Sequence, residues 1–270
     1  MQDSLPPFPA FPTHKGLILS WDDNLNEKFQ EFRAATKRLY KSAQTDWECK
    51  PKGDGFDKLE AFKNGVLGVS SAKLHKASTA IQLAVKSNNQ LSYVLYARFL
   101  LEHTAMLFNL FDVMECSMKQ LKNNPKKPLP QEDLNANMDA ILEVFRKAII
   151  GSRFDWNAFL TGGFSAISHE SGKATFTPRC QQTNVLTWLQ KYGKLQPQIM
   201  NLYELLCEAV HPNFGSNALF MRYNDSSFAS ANLKPTALGS LIILNTFDQI
   251  HWAQGTAMGH LVGLRKIKFA

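Results

Sequence analysis

The residues best suited to chemistry lie in the stretch 201–217, NLYELLCEAVHPNFGSN, where three polar side chains recur at helical spacing. Glu204, Glu208 and His211 are separated by four and then three residues, so a helix places them on one side. The rest of this helix is mostly apolar, and a polar stripe on such a helix needs water, a polar partner or a ligand. Pro212 disfavours helix at the residue before it, so the helix is expected to end there.

A second polar group lies on the apolar helix predicted for residues 91–121. Arg98 and Glu102 are one turn apart on one face of that helix. Because a buried charge needs a partner, we expect Glu208 or His211 to lie within hydrogen-bond reach of this pair. The cluster is either a structural ion-pair network or a ligand-binding or catalytic site, and the sequence leaves both open.

His211, followed by Pro212 and Asn213, ends the 201–217 helix at a turn. An imidazole at a helix C-terminus is stabilised as a cation by the helix dipole. Its structural role would be a C-terminal cap. Its functional role would be an acid or base at the mouth of a site, with Glu204 and Asn213 as binding residues.

Glu208 and His211 also spell one E-x-x-H pair. Helical di-metal carboxylate proteins use two such pairs with two further glutamates, so a di-metal site is not expected here. A single metal ion held by Glu102, Glu208 and His211 stays open. We assign no metal and no other cofactor.

Arg153 and Trp156 open a long loop, 151–182, that is rich in glycine and serine. An arginine beside aromatic rings suits phosphate contact with base stacking, and it suits loop anchoring equally well. The chain has no G-x-x-x-x-G-K-[ST], G-x-S-x-G or G-x-G-x-x-G sequence. ATP-driven and serine-triad chemistry are therefore not expected.

Residues 90–220 resemble a class of bacterial helical proteins through three segments, ARFLLEHTA, GSRFDWNAF and YELLCEAVHPNFGSN, and similar sequences occur near helical domains of the HEPN ribonuclease family. Arg98 and His103 match the family's R-x4-6-H spelling, although Phe99 stands where the family usually has a polar residue. The resemblance implies metal-independent RNA cleavage, in which a histidine activates the ribose 2′-OH and an arginine stabilises the phosphorane. It also implies a homodimer, since residues five apart do not share a helix face. His211 is an alternative base to His103.

Composition and charge agree with a globular protein of one large or two small domains. The chain has 270 residues, 44% of them hydrophobic, and a formal net charge of +7 that permits RNA as a partner. Its four cysteines form no C-x-x-C pair, and its N-terminus does not read as a signal peptide. Residues 236–264 read as a core helix rather than a membrane span. We therefore expect a cytoplasmic protein with no membrane contact.

Helical periodicity predicts an all-α fold, a bundle of six or seven helices with two long irregular loops. The helices are expected near residues 22–45, 58–87, 91–121, 133–150, 183–192, 201–211 and 236–264. The 218–224 segment, ALFMRYN, reads as a short strand within the second loop. Residues 1–21 form a Pro/Phe-rich arm, and residues 22–270 form a single helical domain.

Three functions remain open at this point. The first is a HEPN-like ribonuclease or RNA-sensing protein of a bacterial defence or toxin system, with a protein partner in that system. The second is a non-enzymatic helical binding or scaffold module, in which the Arg/Glu/His cluster is structural. The third is a metal-dependent helical-bundle enzyme. RNA cleavage that resists EDTA indicates the first, and metal that co-purifies with the protein indicates the third.

Overall fold

A computed structural model describes most of the chain, namely residues 18, 20–50, 52–53, 55–122, 131–151, 156–163, 169–170, 173–174, 184–212, 214–224, 227–231 and 234–268. The helices in these ranges are α1 Asp23–Ala43, α2 Phe56–Ser87, α3 Gln90–Lys122, α4 Gln131–Ile150, α5 Trp156–Gly162, α6 Val185–Gly193, α7 Gln198–Val210, α8 Phe214–Ala218 and α9 Ala237–Lys266. Two antiparallel hairpins pair β1 His169–Glu170 with β2 Lys173–Ala174 and β3 Met221–Asn224 with β4 Ser227–Ser230.

The predicted all-α class is confirmed, and the predicted count of helices was slightly low. Seven helices correspond to the seven predicted segments. The two additional ones, α5 and α8, have 7 and 5 residues and lie inside the segments predicted as loops. Helices this short bury too few apolar residues to produce a periodic pattern that can be recognised.

Helix ends follow the capping chemistry that the sequence indicates. The Asp22 side chain accepts a hydrogen bond from the backbone N–H of Leu25 at 2.8 Å, which starts α1 as predicted. Thr236 caps α9 in the same way through the N–H of Gly239. Asn88 ends α2 in the left-handed region, with φ of 49°.

α3 is the central helix, as its all-round apolar character predicts. It packs against α2, α4, α6, α7 and α9. Its inward side chains are fully enclosed, among them Val94, Ala97, Leu100, Leu101 and Leu107. A helix surrounded in this way positions the side chains on its remaining surface rigidly.

α9 joins α1 and α2 through a buried polar contact as well as apolar packing. The Gln254 amide nitrogen donates to Thr36 Oγ1 on α1 at 3.0 Å and to Ser78 Oγ on α2 at 2.9 Å. All three residues are buried. Hydrogen bonds of this kind fix the relative registers of α1, α2 and α9, because a shift would leave buried polar groups without partners.

The end of the N-terminal arm lies on α9 of the same chain. The backbone N–H and C=O of Ile18 pair with the Asn245 side chain at 2.8 and 3.0 Å. The Trp21 ring packs against Phe247, with ring centroids 5.3 Å apart. Residues 1–17 and 19 of the predicted arm lie outside the described residues.

α9 is a core helix, as predicted for residues 236–264, since Phe247, Ile250 and Leu264 are fully buried. In the described part of the chain, no helix combines the length and the apolar character that a membrane span requires.

Candidate functional site

Arg98 and Glu102 form an ion pair on α3 that is completed by a tyrosine of α7. Arg98 Nε donates to Glu102 Oε1 at 3.0 Å, and an Arg98 terminal nitrogen donates to the Tyr203 hydroxyl at 3.3 Å. That hydroxyl donates to the same Glu102 oxygen at 3.2 Å. The guanidinium carbon lies 5.3 Å from the centre of the Tyr203 ring. The three side chains thus form a closed triangle between α3 and α7.

The protonation states of Arg98 and Tyr203 are fixed near neutral pH. Burial acts to lower the pKa of Arg98, but the hydrogen bond to Glu102 and nearby negative charge outweigh it and raise the pKa overall. Burial, a hydrogen bond to Cys207 and the charge of Glu102 raise the pKa of Tyr203 to about 12. Arg98 stays charged and Tyr203 stays protonated, so neither side chain is tuned to exchange a proton at neutral pH.

The predicted contact between the polar stripe of α7 and the Arg98–Glu102 pair does not form. α7 faces the core with an apolar stripe, and Glu204, Glu208 and His211 are exposed on its other side. This orientation is more stable than one that buries the polar side chains, because the buried stripe contains five residues at helical spacing, Ile199, Leu202, Tyr203, Leu206 and Ala209. Glu208 Oε1 accepts a hydrogen bond from the N–H of Gly215 at 3.4 Å, which links α7 to α8.

In this arrangement the three side chains that could have shared a single metal ion, Glu102, Glu208 and His211, do not lie together. Among the residues that the structure describes, no three His, Cys, Asp or Glu side chains are placed to share a metal ion. Glu102, Glu208 and His211 therefore do not form the single-metal site that their spacing left open. The reason is that Glu102 faces Tyr203, whereas Glu208 and His211 face outward.

His103 lies on another side of α3 from Arg98, in a partly buried position. Its ring stacks on Phe99 with centroids 4.2 Å apart, and its Nδ1 is 3.3 Å from the Phe99 carbonyl oxygen. Its Nε2 is buried and has no hydrogen-bond partner among the residues that the structure describes. Burial and then the charge of Lys73 lower the pKa of His103 to about 4. His103 is a neutral imidazole at pH 7 and a weak base.

The predicted loop residues can be placed only in part. Trp156 is the first residue of α5, is 56% exposed, and meets Phe159 edge-to-face with centroids 6.0 Å apart. Arg153 and Asn213 lie outside the described residues. The binding roles predicted for these side chains remain predictions.

The triangle predicts different stability effects for Arg98→Ala and His211→Ala. Arg98→Ala should lower the free energy of unfolding by about 1–2 kcal/mol, because it removes charged hydrogen bonds but leaves Glu102 the Tyr203 hydroxyl as a partner. This is less than a fully buried pair would lose, since the two side chains are 27% and 23% exposed. His211→Ala should change stability by less than about 0.5 kcal/mol. Urea denaturation of both variants measures the difference, and equal losses would contradict this geometry.

His103 predicts a pH dependence of stability with a defined sign. Its pKa is about 4 in the folded protein and 6.5 in the unfolded chain, so the unfolded state binds the proton more readily. The stability contribution is complete above pH 6.5 and is lost as the pH falls from 6.5 to about 4. The loss should reach about 3 kcal/mol, because each pKa unit corresponds to about 1.4 kcal/mol.

Urea denaturation of wild type and His103→Leu at a series of pH values tests this expectation. Wild type should lose stability over that window, and the variant should lose about 3 kcal/mol less. Parallel pH profiles for the two proteins would show that His103 does not titrate as the structure indicates.

A second candidate site is a basic face that carries no acidic residue. Among the stretches of the chain that lack Asp and Glu, three lie in or beside helices that pack against one another, 32–45, 61–101 and 249–270. They form the C-terminal part of α1, most of α2 with the start of α3, and the end of α9. α1, α2 and α9 all contact one another, so the fold brings these stretches together. Their positive charges are not offset by neighbouring acids within the stretches, which gives the surface a positive potential.

An aromatic pair lies within this surface, and we call the group Lys37, Tyr40, Lys41, His75 and Lys76 the α1–α2 basic face. The Tyr40 side chain is 48% exposed, and its ring centroid lies 5.1 Å from that of His75. The ring of His75 is held by the Thr36 carbonyl oxygen, 3.3 Å from Nδ1. Lys37 is three residues before Tyr40 and four before Lys41, so it neighbours both on the surface of α1, and both lysines are exposed.

Sequence reasoning overlooked both Tyr203 and the α1–α2 basic face. A buried tyrosine on the apolar stripe of a helix needs a hydrogen-bond partner for its hydroxyl group, and this rule could have identified Tyr203 from the sequence. The three acid-free stretches are visible in the sequence, but only the fold shows that they adjoin.

Comparison of the chain with family models, with curated proteins and with solved structures returned no match.

Proposed function

We propose that this chain is a non-catalytic RNA-binding protein that holds single-stranded RNA on the α1–α2 basic face. The observation that carries the proposal is the exposed Tyr40 ring beside His75, flanked by Lys37, Lys41 and Lys76 on an acid-free surface. Lysines attract the phosphate backbone, and an exposed ring offers a platform for an unpaired base.

The energetics favour a single strand over a duplex. Stacking of one base on an aromatic side chain contributes about 1–3 kcal/mol, and only an unpaired base can reach the ring. Gln44 Nε2 donates to the Tyr40 hydroxyl at 2.8 Å, which restrains the ring before any ligand arrives. A restrained ring loses less conformational entropy on binding.

The Arg98–Glu102–Tyr203 triangle has a structural role in this proposal. Each of its groups already has partners within the triangle, and together they tie α7 to the central helix α3. For Arg98 and Glu102 this agrees with the alternative of a binding module in which these side chains are structural, whereas Glu204, Glu208 and His211 take no part in the triangle. A homodimer, a cytoplasmic location and a partner in bacterial defence remain predictions from the sequence.

Titration of a fluorescently labelled single-stranded RNA, followed by anisotropy, tests the proposal. Binding should be strong at low salt and weaken as salt rises, with a slope of about −0.7 per neutralised phosphate. Duplex RNA of equal length should bind more weakly, and Tyr40→Ala should reduce the preference for the single strand. Tyr96→Ala is the matched control, because Tyr96 on α3 is 41% exposed and lies outside this face. Absence of binding at low salt would refute the proposal.

RNA cleavage of the HEPN type is the competing function and has its own test. His103 is a weak base whose Nε2 is out of contact with solvent, which opposes general-base catalysis from this position. Purified protein incubated with total RNA, with and without EDTA, should therefore leave the RNA intact. Cleavage that resists EDTA and disappears in His103→Ala or His211→Ala would overturn the non-catalytic proposal.

A further inference from the structure

A cleft of about 190 Å³ opens between α1, α2 and α9, beside the α1–α2 basic face. Its floor is apolar and is formed by the buried side chains of Leu39, Leu67 and Leu261. The Trp47 ring and Val262 complete the walls. An apolar concavity of this kind gains free energy when a hydrocarbon group replaces its water.

Two arginines line the same cleft, Arg38 from α1 and Arg265 from α9. The guanidinium carbon of Arg265 lies 5.6 Å from the centre of the Trp47 ring. Neither arginine forms an ion pair with a carboxylate of the described residues. Both belong to the acid-free stretches, and Glu48, which follows Trp47, is paired with Lys52 at 3.1 Å. The cleft thus combines an apolar floor with two positive charges that no carboxylate in the described part of the chain pairs with.

We propose that this cleft binds a small amphipathic carboxylate, with its alkyl chain on the leucine floor and its head group at Arg38 and Arg265. A guanidinium presents paired N–H donors in the geometry that a carboxylate accepts. The alkyl chain of the ligand would lose its contact with water on the leucine floor. Its carboxylate would bind Arg38 and Arg265 at the edge of the cleft, in contact with solvent.

The polar groups of the cleft disfavour a nucleobase as the occupant. The Ser42 hydroxyl is hydrogen-bonded to Ser71 at 2.9 Å, and the Ser42 carbonyl accepts from Trp47 Nε1 at 3.2 Å. A base edge buried here would lose its hydrogen bonds to water without finding replacements. The volume lies below the roughly 300–1,000 Å³ of sites for drug-sized ligands, so a medium-chain fatty acid suits it better than a larger lipid.

Calorimetry and thermal melting of the full chain with octanoate test the head-group requirement. Octanoate should bind and raise the melting temperature with concentration, and octanol should bind at least about tenfold more weakly because it lacks the charge. Arg38→Gln should weaken octanoate binding by about tenfold, whereas Arg33→Gln, the same change on α1 outside the cleft, should not. Failure of octanoate to bind at millimolar concentration, or equal binding of octanol, would overturn the proposal.

Val262→Trp tests the location without disturbing the core, because Val262 lines the cleft and is 51% exposed. The larger ring should occupy the cleft and abolish octanoate binding while the melting temperature of the free protein stays close to that of wild type. Leu83→Trp, at an exposed position of α2 outside the cleft, should bind octanoate normally. Undiminished binding by Val262→Trp would place the ligand elsewhere and refute the site. These octanoate measurements do not depend on whether the α1–α2 basic face binds RNA.

Discussion

Phe247→Ala is expected to lower the free energy of unfolding by about 3–5 kcal/mol, the largest effect of any single substitution considered for this chain. Phe247 is fully buried on α9, where its ring lies 5.3 to 5.8 Å from the rings of Trp21, Phe29 and Phe32. Truncation removes the buried ring and leaves a cavity among rigid aromatic neighbours that cannot collapse into it. The change would loosen α9 from α1 and so affect the platform that carries the basic face.

Chemical denaturation of Phe247→Ala beside Val262→Ala measures this effect. Val262 lies on the same helix but is 51% exposed, so its truncation should change stability by less than about 1 kcal/mol. Similar losses for both variants would mean that the aromatic cluster is not the main apolar contact of α9.

Gly239→Ala is expected to destabilise the fold by about 2–4 kcal/mol through a buried hydrogen-bond network. An added methyl group would overlap the side-chain oxygen of Gln90 on α3. That oxygen accepts from the backbone N–H and the hydroxyl of Thr236, at 3.2 and 3.0 Å. Gln90 is only 5% exposed, so moving it leaves buried polar groups without partners.

Gly255→Ala is the matched control, since it lies on the same helix and an added methyl group meets no atom within 4 Å. Alanine is the better helix former by about 0.8–1.0 kcal/mol, so this variant should be as stable as wild type or more stable. The two glycine variants should therefore melt on opposite sides of wild type. A Gly239→Ala protein that melts at or above the wild-type temperature would contradict the network described here.

The long helices were predictable because periodicity and capping act locally. α2 runs without a break through Gly65 and Gly68, although glycine is a poor helix former. The structure supplies a reason: a methyl group at Gly68 would approach the Trp47 ring within 2.8 Å, so the glycine permits close packing of the loop. Helix content was thus set by neighbours along the chain, and the role of these glycines was set by contacts distant in sequence.

The orientation of α7 was not predictable from its polar stripe. Glu204, Glu208 and His211 share a face, but their spacing does not reveal whether that face meets another helix or water. The competing stripe that contains Tyr203 buries more apolar surface, and burial decided the orientation. The Arg98–Glu102 pair therefore met a hydroxyl rather than a second set of charges.

The measurement that tests RNA binding most directly is the salt dependence of affinity for two triple variants of equal charge. Lys37→Gln/Lys41→Gln/Lys76→Gln removes three charges from the α1–α2 basic face. The control triple, Lys119→Gln/Lys194→Gln/Lys234→Gln, removes three exposed lysines from other parts of the described chain.

If RNA lies on this face, the first triple should bind single-stranded RNA at least about tenfold more weakly at low salt. Its plot of log affinity against log salt should also be shallower by about 2, since each single-strand phosphate contact contributes about 0.7. The control triple should keep both the affinity and the slope of wild type within about twofold. Equal losses of affinity and slope in the two triples would show that net charge alone attracts RNA and that the α1–α2 basic face is not its binding site.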